Sequence, residues 1–160
     1  MKKIYIAGPD VFEKNSLEIG KEYVALCKKY GFLGLYPLDN VVDFSQEKHK
    51  IAQDIYEANV AMIDSADIII ANLSSFRGKE SDSGTIWECG YAFARGKKVF
   101  GYLDREGNYI DQFDMLSFDK KGRFIEDFDY PVNLMIASSC DAILYGSFED
   151  VLKLLADHNL

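Results

Sequence analysis

The run Asp67-Ile-Ile-Ile-Ala-Asn-Leu73 is aliphatic without alternation. A strand with one wet face alternates polar and apolar residues, so an unbroken run of this length reads as a strand covered on both faces. Such strands belong to parallel sheets whose crossover helices lie above and below. The rest of the chain fits. Lys3 to Ala7 is a first short β-rich run, ended by Gly8-Pro9-Asp10. Asn15 or Ser16 can cap a helix reaching Tyr30, with Leu17, Tyr23, Val24, Leu26 and Cys27 as its inner stripe and Gly31 as its stop. Phe32 to Leu38 reads as a second strand closed by Asp39-Asn40. A helix from about Gln46 to Ser65 carries Ile51, Ile55, Ala58, Met62 and Ile63 at helical spacing. After the aliphatic strand come a polar loop (74–82), a helix over Ser83 to Arg95 and a strand over Lys98 to Leu103. Residues 104–129 are acidic and aromatic, and periodicity assigns them nothing. A short helix over Pro131 to Ala137, a last strand over Ala142 to Tyr145 and a helix over Phe148 to Asn159 complete the chain.

Strands alternating with helices predict an α/β fold. The expected form is one flavodoxin-like domain over 1–160, a five-stranded parallel sheet in the order 2-1-3-4-5 with helices on both faces. Ligands bind such sheets beyond the carboxyl ends of the strands, where the strand order reverses. Here that crevice falls between the loop after the first strand (8–12) and the loop after the third (74–82).

Composition narrows the function. The 160 residues are 48% hydrophobic and 28% charged, with a net charge of −8, which suits a soluble globular protein. No basic run is present, so a nucleic-acid partner is not expected. Acidity also disfavours a site for a multiply charged phosphate. Cys27, Cys89 and Cys140 are far apart, with no CxxC pair and no histidine cluster, so neither a disulfide framework nor a zinc site is expected. His49 and His158 lie in polar helices and receive no role. The opening Met-Lys-Lys-Ile-Tyr-Ile runs straight into a strand without a leader or membrane-span pattern, giving the expectation of a cytoplasmic protein.

The chemistry concentrates in Asp82-Ser-Gly-Thr-Ile-Trp-Glu88-Cys-Gly-Tyr-Ala. Glu88 stands among Ile86, Trp87, Cys89, Tyr91 and Phe93, where a carboxylate is costly to bury unless paired or used. Two carboxylates at one site are the apparatus of glycosyl transfer. Six residues of helix turn through about 600°, so Asp82 and Glu88 converge only if Asp82 precedes the helix. Gly84 permits close approach of a ligand. Glu88, about one turn inside, is expected to stay ionised near the positive helix end. Tyr5 points to the opposite sheet face from Ile4 and Ile6, towards the crevice, where its phenol can hold a carboxylate. Gly8-Pro9-Asp10 lacks both GxGxxG and a P-loop lysine, and Asp10 suits sugar hydroxyls better than phosphate. Phe12 and Phe76 flank the crevice as candidates for base stacking. Asn133 is polar within an apolar stretch, able either to cap backbone or to donate to a ligand hydroxyl.

Together these stretches resemble the nucleoside 2-deoxyribosyltransferases. The resemblance rests on Ile4-Tyr-Ile-Ala-Gly-Pro-Asp-Val-Phe12, Pro37-Leu-Asp-Asn40, Asp67 to Leu73, Phe76-Arg-Gly78, the segment from Asp82 to Ala92, and Pro131-Val-Asn-Leu-Met135. It implies deoxynucleosides and free nucleobases as substrates and no metal or organic cofactor. It implies Glu88 as nucleophile at C1′, Asp82 as the group that contacts and protonates the base, and Tyr5 as the residue orienting Glu88. Asn133 would reach the sugar 5′-hydroxyl of a neighbouring subunit, in a homo-oligomer built of dimers and up to a hexamer. Asn59 aligns where some members carry aspartate, and Val41 where some carry glutamine. Both positions lie on the base side, and the Phe76-Arg-Gly78 loop favours purines. Two other readings fit the same fold. One is a deoxynucleoside 5′-monophosphate N-glycosidase, which passes the sugar to water and needs phosphate donors at the 5′ position. The other is a binding module without catalysis.

Overall fold

The computed structural model describes all 160 residues. Its five strands are β1 (Lys3–Ala7), β2 (Leu33–Leu35), β3 (Ile68–Asn72), β4 (Lys98–Leu103) and β5 (Ala142–Tyr145). All pair in parallel, in the order β2-β1-β3-β4-β5. The helices are α1 (Ser16–Lys29), α2 (Lys48–Ser65), α3 (Ser83–Ala94), α4 (Leu134–Ser139) and α5 (Phe148–Asp157). The expected flavodoxin-like sheet is therefore present. No helix is long and apolar enough to cross a membrane.

Side-chain alternation along the strands sorts the core into two layers. Ile4, Ile6, Ile68, Ile70, Phe100 and Tyr102 point to one face and pack under α1 and α5 with Cys27, Val151, Leu152 and Leu155. Tyr5, Ala7, Ile69, Ala71 and Val99 point to the other face, beneath Ile63, Cys89 and Ala92 of α2 and α3. Both faces of β3 are thus buried, which explains its unbroken aliphatic run. Tyr5 pairs in register with Ile69, and Ala7 with Ala71, so the ends of β1 and β3 stand side by side where the strand order reverses.

Several boundaries differ from the sequence reading. The second strand stops at Leu35, because Pro37 cannot donate to a ladder and instead opens a 3-10 turn over Pro37–Asp39. Helix α2 begins at Lys48 rather than near Gln46. Helix α4 starts at Leu134 because the Asn133 side chain caps it. Leu17 is exposed rather than part of the inner stripe, since it faces the cavity at the end of the sheet. Residues 104–133 form an irregular arm with a 3-10 turn over Ile110–Phe113 and an isolated bridge between Phe118 and Phe124. The arm is tied back by hydrogen bonds from the Tyr109 amide to the Tyr130 carbonyl (2.7 Å) and from Arg105 Nη2 to the Pro131 carbonyl (2.8 Å).

Helix α1 approaches the edge of the sheet through Gly20. A methyl group there would come within 2.3 Å of the buried Tyr36 ring. Alanine adds about 1 kcal/mol of helix propensity over glycine, but overpacking a ring that cannot retreat costs about 1–3 kcal/mol. Gly20→Ala is therefore expected to lower the urea midpoint, against the usual sign for a helical Gly→Ala change.

Candidate active site

Helix α3 places the two carboxylates. Asp82 is its N-cap, and its Oδ2 accepts hydrogen bonds from the Thr85 amide (2.9 Å) and the Thr85 hydroxyl (3.0 Å). Both protein bonds fall on one oxygen, which leaves Oδ1 available. Glu88 lies in the second turn, on the face turned towards β1. The Tyr5 hydroxyl donates to Glu88 Oε1 at 2.6 Å. Tyr5 itself is fully buried, so its hydroxyl holds the carboxylate from a position that cannot drift.

Both acids line one cavity of about 480 Å3. The loop after β1 supplies Gly8, Val11 and Phe12, and α3 supplies Asp82, Gly84, Thr85 and Glu88. The far wall is Pro37, Leu38, Asn40, Val42 and Phe44 from the loop before α2, with Ile55 and Asn59 from α2 itself. A smaller recess walled by Tyr56 and Trp87 meets this cavity at Asn59, Gly84 and Glu88.

The loops that frame the cavity are braced beneath it. Asn72, the last residue of β3, donates from Nδ2 to Asp10 Oδ2 (3.1 Å) and accepts from the Ser74 amide (3.1 Å). One side chain thereby ties the loop after β1 to the loop after β3. Gly8 must be glycine here, because a Cβ would stand 2.5 Å from Asp10 Oδ2 and 2.9 Å from Asn72 Cβ.

The sequence-predicted residues divide into two sets. Tyr5, Gly8, Phe12, Asn59, Asp82, Gly84 and Glu88 converge on the cavity, Tyr5 through its bond to Glu88. Phe76 is one layer back, stacked on Phe12 with ring centroids 5.4 Å apart. Arg77 lies over both rings, 5.1 and 4.6 Å from their centroids. Asp10 does not line the cavity. Its oxygens serve Asn72 and, at 3.4 Å, the Tyr23 hydroxyl, so it braces the loop. Asn133 lies in a separate recess with Glu80, Tyr109, Phe124 and Glu126. There it donates to Glu126 Oε2 (3.2 Å) while capping α4. Sequence reasoning missed Val42, Phe44 and Ile55 as wall residues. The available signal was the apolar Val41, Val42 and Phe44 inside an otherwise polar loop.

The ionisation of Glu88 differs from the expectation. Burial pushes its carboxyl up to about 7, against the lowering effect of the Tyr5 hydrogen bond and with a further upward push from Asp82. The helix field fades beyond the first turn, and Glu88 is in the second, so desolvation prevails. Burial also raises Tyr5 well above the usual phenol range, with the Glu88 charge second, so Tyr5 remains a donor.

Residues 4–135 match the sequence profile of the family described as "Nucleoside 2-deoxyribosyltransferase". The chain belongs to the nucleoside 2-deoxyribosyltransferase family. A structure described as "2-desoxiribosyltransferase from Leishmania mexicana" superposes with a TM-score of 0.85 and 34% identity, covering 100% of both chains. A 2-deoxyribosyltransferase from Bacillus psychrosaccharolyticus aligns with a TM-score of 0.63 over 94% of this chain and 90% of that one. At 23% identity that second likeness speaks to the fold alone. Among curated sequences, the uncharacterized protein C191.05c of Schizosaccharomyces pombe is 32% identical over 102 residues, 62% of this chain. The match spans about half that relative's length, 48%.

The raised carboxyl makes a stability prediction. A group whose folded-state value lies above its ordinary 4.5 contributes full stability below that value and loses it as pH rises through about 7. Glu88→Gln keeps an acceptor for Tyr5 and removes this penalty. The variant should gain stability over the parent between pH 5 and pH 9, by about 1–3 kcal/mol. Urea denaturation at the two pH values measures it, and a gap independent of pH contradicts the assignment.

Proposed function

We propose that this chain transfers 2-deoxyribose between nucleobases, purines above all, by two displacements through a deoxyribosyl ester on Glu88. The observation that carries this reading is the 2.6 Å bond from buried Tyr5 to Glu88, in a cavity that Glu88 shares with Asp82. A fixed carboxylate and a second acid in one cavity are what displacement at an anomeric carbon requires.

In the first step an Oε of Glu88 forms a bond to C1′ as the C1′–N9 bond breaks. The bonding pair leaves on the base, and Asp82 delivers a proton to it. In the second step N9 of an incoming base attacks C1′, the Glu88 carboxylate departs, and Asp82 takes the proton back. Two inversions return the original β configuration. Tyr5 holds Glu88 in line for attack, and positive charge developing on the sugar favours the ionised form of the acid. Without a 2′-hydroxyl to withdraw electrons, the sugar reaches its cationic transition state with this small apparatus. The apolar wall of Phe12, Val42 and Phe44 keeps water from the ester until a second base arrives. The Phe12 ring, backed by Phe76 and with Arg77 over both, gives a flat face that suits a two-ring base.

Asn133 enters this scheme from a neighbouring copy, reaching the sugar 5′-hydroxyl. In its own chain it lies outside the cavity, and the arm beside it exposes Met115, Leu116, Phe118, Phe124 and Phe128, with Met135 of α4 next to them in sequence. Exposed apolar surface on that scale fits an interface between subunits.

Deoxyinosine incubated with free guanine should give deoxyguanosine. Free deoxyribose appearing at the same rate without guanine would favour the N-glycosidase reading instead. Glu88→Ala should lower turnover by at least about a thousandfold in a folded protein, and mass spectrometry of the parent with deoxyinosine alone should find the sugar on Glu88. The free-enzyme rate, kcat/KM, is expected to fall as pH drops through about 7, where Glu88 takes up its proton.

A further inference from the structure

The polar groups of the cavity wall have a fixed donor and acceptor order. Asn40 Nδ2 donates to the Pro37 carbonyl at 3.0 Å. A carbonyl can only accept, so this bond sets which way the Asn40 amide is turned. The same NH2 group faces Asn59 Oδ1 at 3.5 Å. The Asn59 oxygen is therefore turned towards Asn40, and its own NH2 is left without a partner in the protein. Turning the Asn59 amide over would set one NH2 group against another. Asn59, Asn40 and Asp82 all line the cavity.

We propose that this wall selects 6-oxopurines, hypoxanthine and guanine, over 6-aminopurines, through the outward NH2 of Asn59. The inference rests on the transfer reading above, in which Asp82 protonates the base. With N7 committed to Asp82, the neighbouring substituent at C6 meets Asn59. A 6-oxo group accepts from that NH2. A 6-amino group offers a second donor where only an acceptor can pair, and one of the two groups is left unsatisfied. Asn40 points the same way. Its Oδ1 accepts nothing within the protein, whereas its NH2 is engaged. The N1–H of a 6-oxopurine can donate to that oxygen, and N1 of adenine carries no hydrogen to give.

The test supplies deoxyinosine as sugar donor with equimolar guanine and adenine, and reads the ratio of deoxyguanosine to deoxyadenosine formed. In parallel, equilibrium dialysis compares hypoxanthine with adenine on the same protein without a sugar donor. The expected result is at least about a tenfold preference for the 6-oxopurine in both, a size usual for one mismatched buried hydrogen bond. Asn59→Asp still accepts from Asn40 and presents an acceptor to the base, so it should reverse the preference. Asn59→Ala should bring the ratio towards one. Adenine used or bound as well as its 6-oxo counterpart by the parent protein overturns the proposal, as does an unchanged ratio in folded Asn59→Asp. Transfer to neither base, with hypoxanthine still held more tightly than adenine, supports the base preference and counts against the transfer reaction alone.

Discussion

The hydrogen bond from Tyr5 to Glu88 is the contact on which the site depends. It joins the second residue past the start of β1 to the second turn of α3, 83 positions away in sequence. A partly buried carboxylate left alone would take a proton and relax towards solvent. A buried phenol gives it one fixed donor, and hydrogen bonds to a charged group contribute about 1.5–3 kcal/mol. The rest of the architecture makes that contact possible. The parallel pairing of β1 with β3 sets Tyr5 beneath α3, and the Asp82 cap fixes where α3 begins and hence which way Glu88 points.

Opposing electrostatic effects meet at Glu88. Burial and the neighbouring Asp82 raise its carboxyl, while Tyr5 lowers it. The outcome near 7 describes a group at the balance point between proton-bound and ionised forms under neutral conditions. Such a carboxylate is less stable than an exposed one. The brace formed by Asn72, Asp10 and Tyr23 lies on the other side of the loops, where it fixes the cavity wall without touching its contents. One aspartate thus braces a loop and the other lines the cavity, and only their neighbours tell them apart.

Much of this was legible in the chain. The unbroken Ile68–Ala71 run required cover on both faces, and the alternation of strand and helix gave the sheet order. The capping geometry of Asp82 followed from its spacing to Glu88, since the two acids cannot share a helix face. Gly8 and Phe12 fell where the crossover rule puts a crevice, but of the loop after β3 only Asp82 reaches it, and the loop after β2 supplies the far wall. Residues 104–133 were not legible because their backbone bonds run to distant partners such as Pro131 and Tyr130, with no periodic pattern to mark them.

The sequence by itself determined the sheet, the place of the crevice along it and the two acids that meet there. These follow from local rules of periodicity, capping and strand burial. Tertiary structure alone decided that Asp10 braces a loop, that Asn133 stands apart from its own chain's cavity, and that Glu88 is raised towards neutrality. It also decided which way the amides of Asn40 and Asn59 are turned. Each of these depends on partners distant in sequence, and desolvation and amide orientation are set by what surrounds a group in space rather than by what flanks it along the chain.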